Sequence, residues 1–82
     1  MNQQEAIQKV VGILEPFVKN REALETIGME TSILKDLKVN SARLVDVVLE
    51  IEDTFEIEVK DEDADKVKTV GDAVNLILAA QA

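Results

Sequence analysis

Cysteine and histidine are both absent from this sequence. Without cysteine the chain has no disulfide and no thiol of its own, which suits a reducing compartment. Without histidine it lacks the usual neutral-pH general base and the commonest metal ligand. A Ser-His-Asp triad, a cysteine nucleophile and a zinc finger are therefore excluded by inventory. Tryptophan and tyrosine are missing too, leaving Phe17 and Phe55 as the aromatics. Basic residues are scarce: nine lysines and arginines face seventeen aspartates and glutamates, for a net charge of −8. Phosphate backbones demand basic patches, so nucleic acid is not an expected partner. No apolar run reaches the ~20 residues of a membrane-spanning helix, and Met1–Glu5 is polar rather than the start of a signal peptide. A cytoplasmic monomer with no membrane attachment is expected.

What is present is concentrated. The 82 residues make one domain, residues 1–82, around a single small core. Within residues 40–65 lie ten acids and two bases, Arg43 and Lys60, so the whole negative excess belongs to that segment. A solvated face would account for any such run; its confinement to a third of the chain favours an interaction surface for basic partners.

Ile7, Val10, Val11, Leu14, Phe17 and Val18 recur at helical spacing, predicting a helix over Gln3–Lys19 that Pro16 kinks or ends early. The pattern lapses from Asn20 to Val39, with a turn at Gly28. Twenty structureless residues are unusual in a compact domain, so short helical turns are expected at Arg21–Thr26 and Ser32–Asp36. Met29, Ile33, Leu34 and Leu37 would pin this loop to the core. A second helix starts at Asn40-Ser41 and ends near Glu56, with Leu44, Val47, Val48, Ile51 and Phe55 inward. Ile57–Val59 reads as an extended connector and Asp61–Lys66 as a short third helix. Thr69 and Asp72 form a capping box, with Asp in place of Glu. It opens a last helix with Val70, Ala73, Val74 and Ile77 as its apolar stripe. The expected fold is all-α: a small antiparallel four-helix bundle with three main helices, one short helix and a long first loop.

Leu37-Lys38-Val39-Asn40-Ser41-Ala42-Arg43-Leu44 carries the chemistry. An apolar anchor leads through a polar turn to a serine at the first turn of an acidic helix. There the backbone N–H groups are unpaired and the helix dipole is positive. A phosphodiester on Ser41 would be well placed, with Lys38 and Arg43 nearby. The simpler role for Ser41, or for Asn40 beside it, is to cap the helix.

Asp36-Leu37, then Asn40-Ser41, then Val45–Phe55 with its acids, is similar to the acyl carrier protein family, which reads Asp-Leu, two residues, Asp-Ser-Leu and an acidic helix ending Glu-Glu-Phe. Ile57–Ala64 and Val67–Ala73 continue the likeness. The resemblance is strong over Ile33–Ala79 and architectural over Met1–Thr31. It implies a carrier rather than an enzyme: a phosphopantetheinyl transferase attaches 4′-phosphopantetheine from coenzyme A to Ser41. The arm's thiol then holds acyl groups as thioesters for acyl-processing enzymes of fatty-acid or related lipid biosynthesis. The thiol missing from the sequence is thereby imported. It further implies that the second helix docks basic patches on those enzymes through Val45, Asp46, Leu49, Glu52, Asp53 and Glu56, with Asn40, Ala42 and Arg43 beside the serine.

Asn40, Ala42 and Arg43 depart from the family pattern, losing an acid, losing an apolar contact and reversing a charge, which suggests a specialised member. An aminoacyl or polyketide carrier of a specialised pathway is the alternative within the class, and an unmodified acidic adaptor the alternative outside it. One competing motif remains: Asp61, Asp63, Asp65, Thr69 and Asp72 fall at calcium-loop offsets. Lys66 stands where the loop needs glycine, Lys68 where it needs an apolar residue, and Asp72 where it needs Glu, so no metal site is expected.

Overall fold

The computed structural model describes residues 2–81. The chain is all-α: three main helices, α1 (Gln3–Leu14), α2 (Leu44–Phe55) and α4 (Val70–Gln81), and the short α3 (Asp61–Ala64). Asn2 caps α1, its Oδ1 accepting the Glu5 N–H at 2.8 Å. The α-helix stops at Leu14, well short of Lys19, and tightens into a 3-10 turn at Glu15–Phe17. Pro16 is the reason: it has no N–H to give the preceding turn. The Val18 N–H closes the turn onto the carbonyls of Leu14 and Glu15.

Among the described residues the core is wholly apolar. Ala6, Val10 and Leu14 of α1 are fully buried, as are Val70, Ala73, Val74 and Ile77 of α4. From α2, Val47, Ile51 and Phe55 close the third side. Each fully buried large aliphatic side chain contributes roughly 1.5–3 kcal/mol against leaving it in water. Phe17 is half-buried at the rim, so Phe55 is the one aromatic of the core. The segment just after α1 and its 3-10 turn meets the approach to α2, with the N–H groups of Lys19 and Asn20 both bonded to the Leu37 carbonyl at 3.2 Å. Lys9, a turn and a half before the end of α1, lies over Phe55 at the end of α2, so the two helices run antiparallel.

The long first loop is ordered by turns, including a 3-10 helix at Arg21–Thr26. At 32–37 the N–H groups of Asp36 and Leu37 both reach the Ser32 carbonyl. That helical turn puts Ile33 and Leu37, four residues apart, on one side and fully buried. Leu34, expected as an anchor, faces outward and is 38% exposed. The loop also completes the start of α4. The Val70 N–H bonds the Thr31 carbonyl at 2.9 Å and the Gly71 N–H bonds the Met29 carbonyl at 2.8 Å, while the Ile33 N–H bonds Lys68. Gly71 permits this approach, because a Cβ there would sit 2.7 Å from the Met29 carbonyl oxygen.

At the other end of α2, Glu56 adopts a left-handed conformation, φ 54°. The Ile57 N–H returns to the Glu52 carbonyl at 3.1 Å, the bond pattern of a Schellman ending. The connector 57–60 has no regular secondary structure and leaves through an extended Lys60, with Val59 buried and Glu58 out. The α-helical part of α3 ends at Ala64 rather than Lys66, and the rest is turn.

Candidate functional site

The start of α2 gathers the residues singled out above. A 3-10 turn at Ser41–Arg43 leads into the α-helix. Asn40 is the cap: its Oδ1 accepts the Ala42 N–H at 2.9 Å, and its carbonyl accepts the Arg43 N–H at 2.8 Å. Capping is thus done by Asn40 and not by Ser41. Ser41 is exposed, and among the described residues its Oγ and its N–H take part in no hydrogen bond. An exposed primary hydroxyl engaged by nothing, at the positive end of a helix, fits a covalently attached phosphodiester.

The approach to Ser41 is fixed from below. Leu37 and Val39 are buried, and the Val39 N–H bonds the Ile33 carbonyl at 3.1 Å. Between them Lys38 takes a left-handed conformation, φ 55°, uncommon for a residue with a side chain. Arg43 does not stand free beside Ser41: its guanidinium pairs with Asp46 at 3.2 Å. Both side chains are well exposed, so the pair holds only about 0.2–1 kcal/mol and can be exchanged for a partner's charges.

The other sequence-predicted positions lie along α2. Val45 and Leu49 are 65% and 56% exposed, the most exposed large apolar side chains in the chain's described part. Asp53 and Glu56 are exposed with them, and Ala42 lies out at the helix start. Glu52 differs from its expected place on the solvent side. It is half-buried, and its carboxylate accepts the Val59 N–H at 3.2 Å, tying the connector to α2.

The calcium-loop residues are otherwise employed. Asp61 and Asp63 lie in a helical turn. The Asp72 carboxylate accepts the N–H groups of Lys68 and Thr69 at 3.0 and 3.1 Å, and Thr69 Oγ1 accepts the Asp72 N–H in return. Those bonds, the one from Lys68 foremost, hold the Asp72 carboxyl below its ordinary pKa. A concavity of about 1000 Å³, open to solvent, lies against the 20–36 loop, and Ser41 is not part of its lining.

Sequence reasoning missed Asn20. Its side-chain N–H donates to the Asp36 carbonyl at 2.9 Å, sixteen residues away. No local spacing signals such a bond.

The family model for the phosphopantetheine attachment site matches residues 5–77. An acyl carrier protein from Lactobacillus acidophilus is 34% identical over 82 residues, covering 99% of each chain. One from Clostridium acetobutylicum is 45% identical over 53 residues, 65% of this chain and 69% of that protein. Among solved structures, an acyl carrier protein from Enterococcus faecalis superposes with a TM-score of 0.78 at 35% identity, over 98% of this chain and 99% of that one.

Proposed function

The chain belongs to the acyl carrier protein family, and on that premise we propose that Ser41 is the residue to which its 4′-phosphopantetheine is attached. Members of this family are carriers and not enzymes, and the bound arm supplies the thiol on which acyl groups ride as thioesters. The full-length match favours neither an aminoacyl or polyketide carrier nor an unmodified adaptor. The supporting observation is the division of labour at the helix start: Asn40 caps, and the Ser41 hydroxyl is left exposed and unengaged. In the attachment reaction that oxygen bonds to the phosphorus of the pantetheine phosphate. The bond from that phosphorus to coenzyme A's nucleotide phosphate breaks. The hydroxyl proton passes to a base on the phosphopantetheinyl transferase, since this chain has no histidine to take it. Incubation with coenzyme A and a broad-specificity transferase adds one arm to the wild type and none to Ser41→Ala, read by intact mass. An adduct on Ser41→Ala would overturn the assignment.

Docking of the transferase and of acyl-processing enzymes is assigned to the exposed face of α2. Val45 and Leu49 form an apolar pair flanked by Asp46, Asp53 and Glu56, a surface complementary to a basic patch with an apolar centre. Asn40, Ala42 and Arg43 would border it. Asp53→Lys should slow association several-fold and leave the melting temperature unchanged. Glu52→Lys should slow it and also lower the melting temperature, because Val59 loses its acceptor. Association kinetics unmoved by Asp53→Lys would place the interface elsewhere. The same reading takes residues 1–82 as a single domain acting as a cytoplasmic monomer. In its support, one core draws on all three main helices, and a cysteine-free chain suits a reducing compartment.

A further inference from the structure

The turn before Ser41 contains a strained residue, and among the bonds that hold it one comes from a side chain distant in sequence. Lys38 sits at φ 55° between two buried anchors, Leu37 and Val39. For a residue with a Cβ that conformation costs energy and persists only where the surroundings over-determine it. Val39 is held on one side by the Ile33 carbonyl. On the other side the N–H groups of Asp36 and Leu37 bond the Ser32 carbonyl, and the Asp36 and Leu37 carbonyls are held from the segment that follows α1. The N–H groups of Lys19 and Asn20 share the Leu37 carbonyl, and Asn20 Nδ2 takes the Asp36 carbonyl at 2.9 Å. The two backbone bonds are available to any residue at 19 and 20. The third depends on the side chain of Asn20, which is half-buried, and it reaches Asp36 at the exposed surface of the turn.

We infer that Asn20 is a positioning residue for the modification of Ser41: its amide clamps Asp36 and stabilises the left-handed turn at Lys38 that presents the serine hydroxyl. This rests on the assignment of Ser41 as the attachment residue. Asn20 touches neither the hydroxyl nor the incoming group. It acts by keeping the turn in the one arrangement that a transferase can engage. When only a fraction of the carrier holds that arrangement, apparent affinity falls by that fraction while turnover of the bound complex does not change.

The inference predicts a specific kinetic split. With wild-type carrier, coenzyme A and a broad-specificity phosphopantetheinyl transferase, Asn20→Ala should raise the KM for the carrier about 2- to 10-fold at unchanged kcat, the size set by one hydrogen bond. Asn20→Asp keeps the shape but removes the donor, and should behave alike. In the Lys38→Gly background, Asn20→Ala should leave KM at the value of Lys38→Gly alone, because glycine adopts positive φ without the Cβ penalty and no longer needs the clamp. In the unmodified protein, Asn20→Ala should speed amide exchange at Val39 and leave Val74 in the core unchanged. A KM equal to wild type in Asn20→Ala would overturn the inference. So would a KM that still rises on Asn20→Ala in the Lys38→Gly background, or faster exchange throughout the core, which would make Asn20 an ordinary stability residue. A wild-type chain that takes no adduct would overturn the Ser41 assignment first and this inference with it.

Discussion

Two helix starts in this molecule use similar residues for opposite ends. At α4, Thr69 and Asp72 turn every polar group inward: hydroxyl to N–H, carboxylate to two N–H groups, and the carbonyls of Met29 and Thr31 to the next two donors. At α2, Asn40 alone does the capping, and the Ser41 hydroxyl one residue later is bonded to nothing among the described residues. The first start is closed and structural. The second begins as a short 3-10 turn with its reactive group facing solvent. A hydroxyl at a helix start is a candidate for chemistry when another residue has already taken over the cap.

The largest test of this contrast crosses the two hydroxyls. Ser41→Ala should abolish attachment of the phosphopantetheine arm and leave the melting temperature within a degree or so, because no hydrogen bond is lost. Thr69→Ala should leave attachment complete and cost about 1 kcal/mol of stability, roughly 4–8 °C in melting temperature for a domain of this size. Intact mass and thermal unfolding on both variants decide it. A clear fall in melting temperature for Ser41→Ala would mean that its hydroxyl is structural after all.

The two starts also differ in how much of them could be read from sequence. The Thr69–Asp72 box was legible because its partners are three residues apart, and local spacing fixes local hydrogen bonds. Ser41 stood out for its place before an acidic helix, but which of Asn40 and Ser41 caps was left open until the geometry assigned it. Contacts across long sequence separations were not legible. Asn20 clamping Asp36, Met29 and Thr31 reaching the start of α4, and Glu52 bending in to Val59 all depend on how the loops pack. So does the outward turn of Leu34, since hydrophobicity alone cannot say which side of a short turn meets the core. Pro16 is legible as a disturbance from its missing N–H, and the structure shows it ending the α-helix in a 3-10 turn instead of kinking it.

A smaller effect should come from the backbone contact that closes the α4 start. Gly71→Ala would bring a methyl group to 2.7 Å from the Met29 carbonyl oxygen, a backbone atom that cannot rotate away. The loop must shift, weakening the Gly71 and Val70 bonds to Met29 and Thr31. Overpacking of this kind costs about 1–3 kcal/mol, partly offset by the better helix propensity of alanine. Thermal unfolding should show the loss, whereas Gly12→Ala, at an exposed helical position with open space around its Cβ, should be neutral or stabilising. Equal melting temperatures for the two variants would mean that the loop carbonyls do not constrain α4.

The smallest expected effect separates the two caps by charge. Asn40 is neutral, so the start of α2 should hold equally well in acid. Asp72 caps as a carboxylate whose pKa is lowered, chiefly by the Lys68 N–H and next by that of Thr69. A group with its folded pKa depressed stabilises the fold fully above its unfolded value, about 3.9 for aspartate. That contribution fades as pH falls through the folded pKa. Asp72 is exposed, so screening keeps the effect modest. Asp72→Asn should lower the melting temperature at pH 7, because a neutral amide accepts the two N–H bonds less strongly than a carboxylate. At pH 3 and below the gap between wild type and variant should narrow, since the wild-type carboxyl is then increasingly protonated. Comparing the two proteins at each pH cancels the titration of the other acids. Asn40→Asp should do the reverse at α2, importing into that start the pH dependence that α4 already has. A gap between wild type and Asp72→Asn that is the same at pH 3 and pH 7 would show that shape, and not charge, makes Asp72 a cap, and would erase this distinction between the two helix starts.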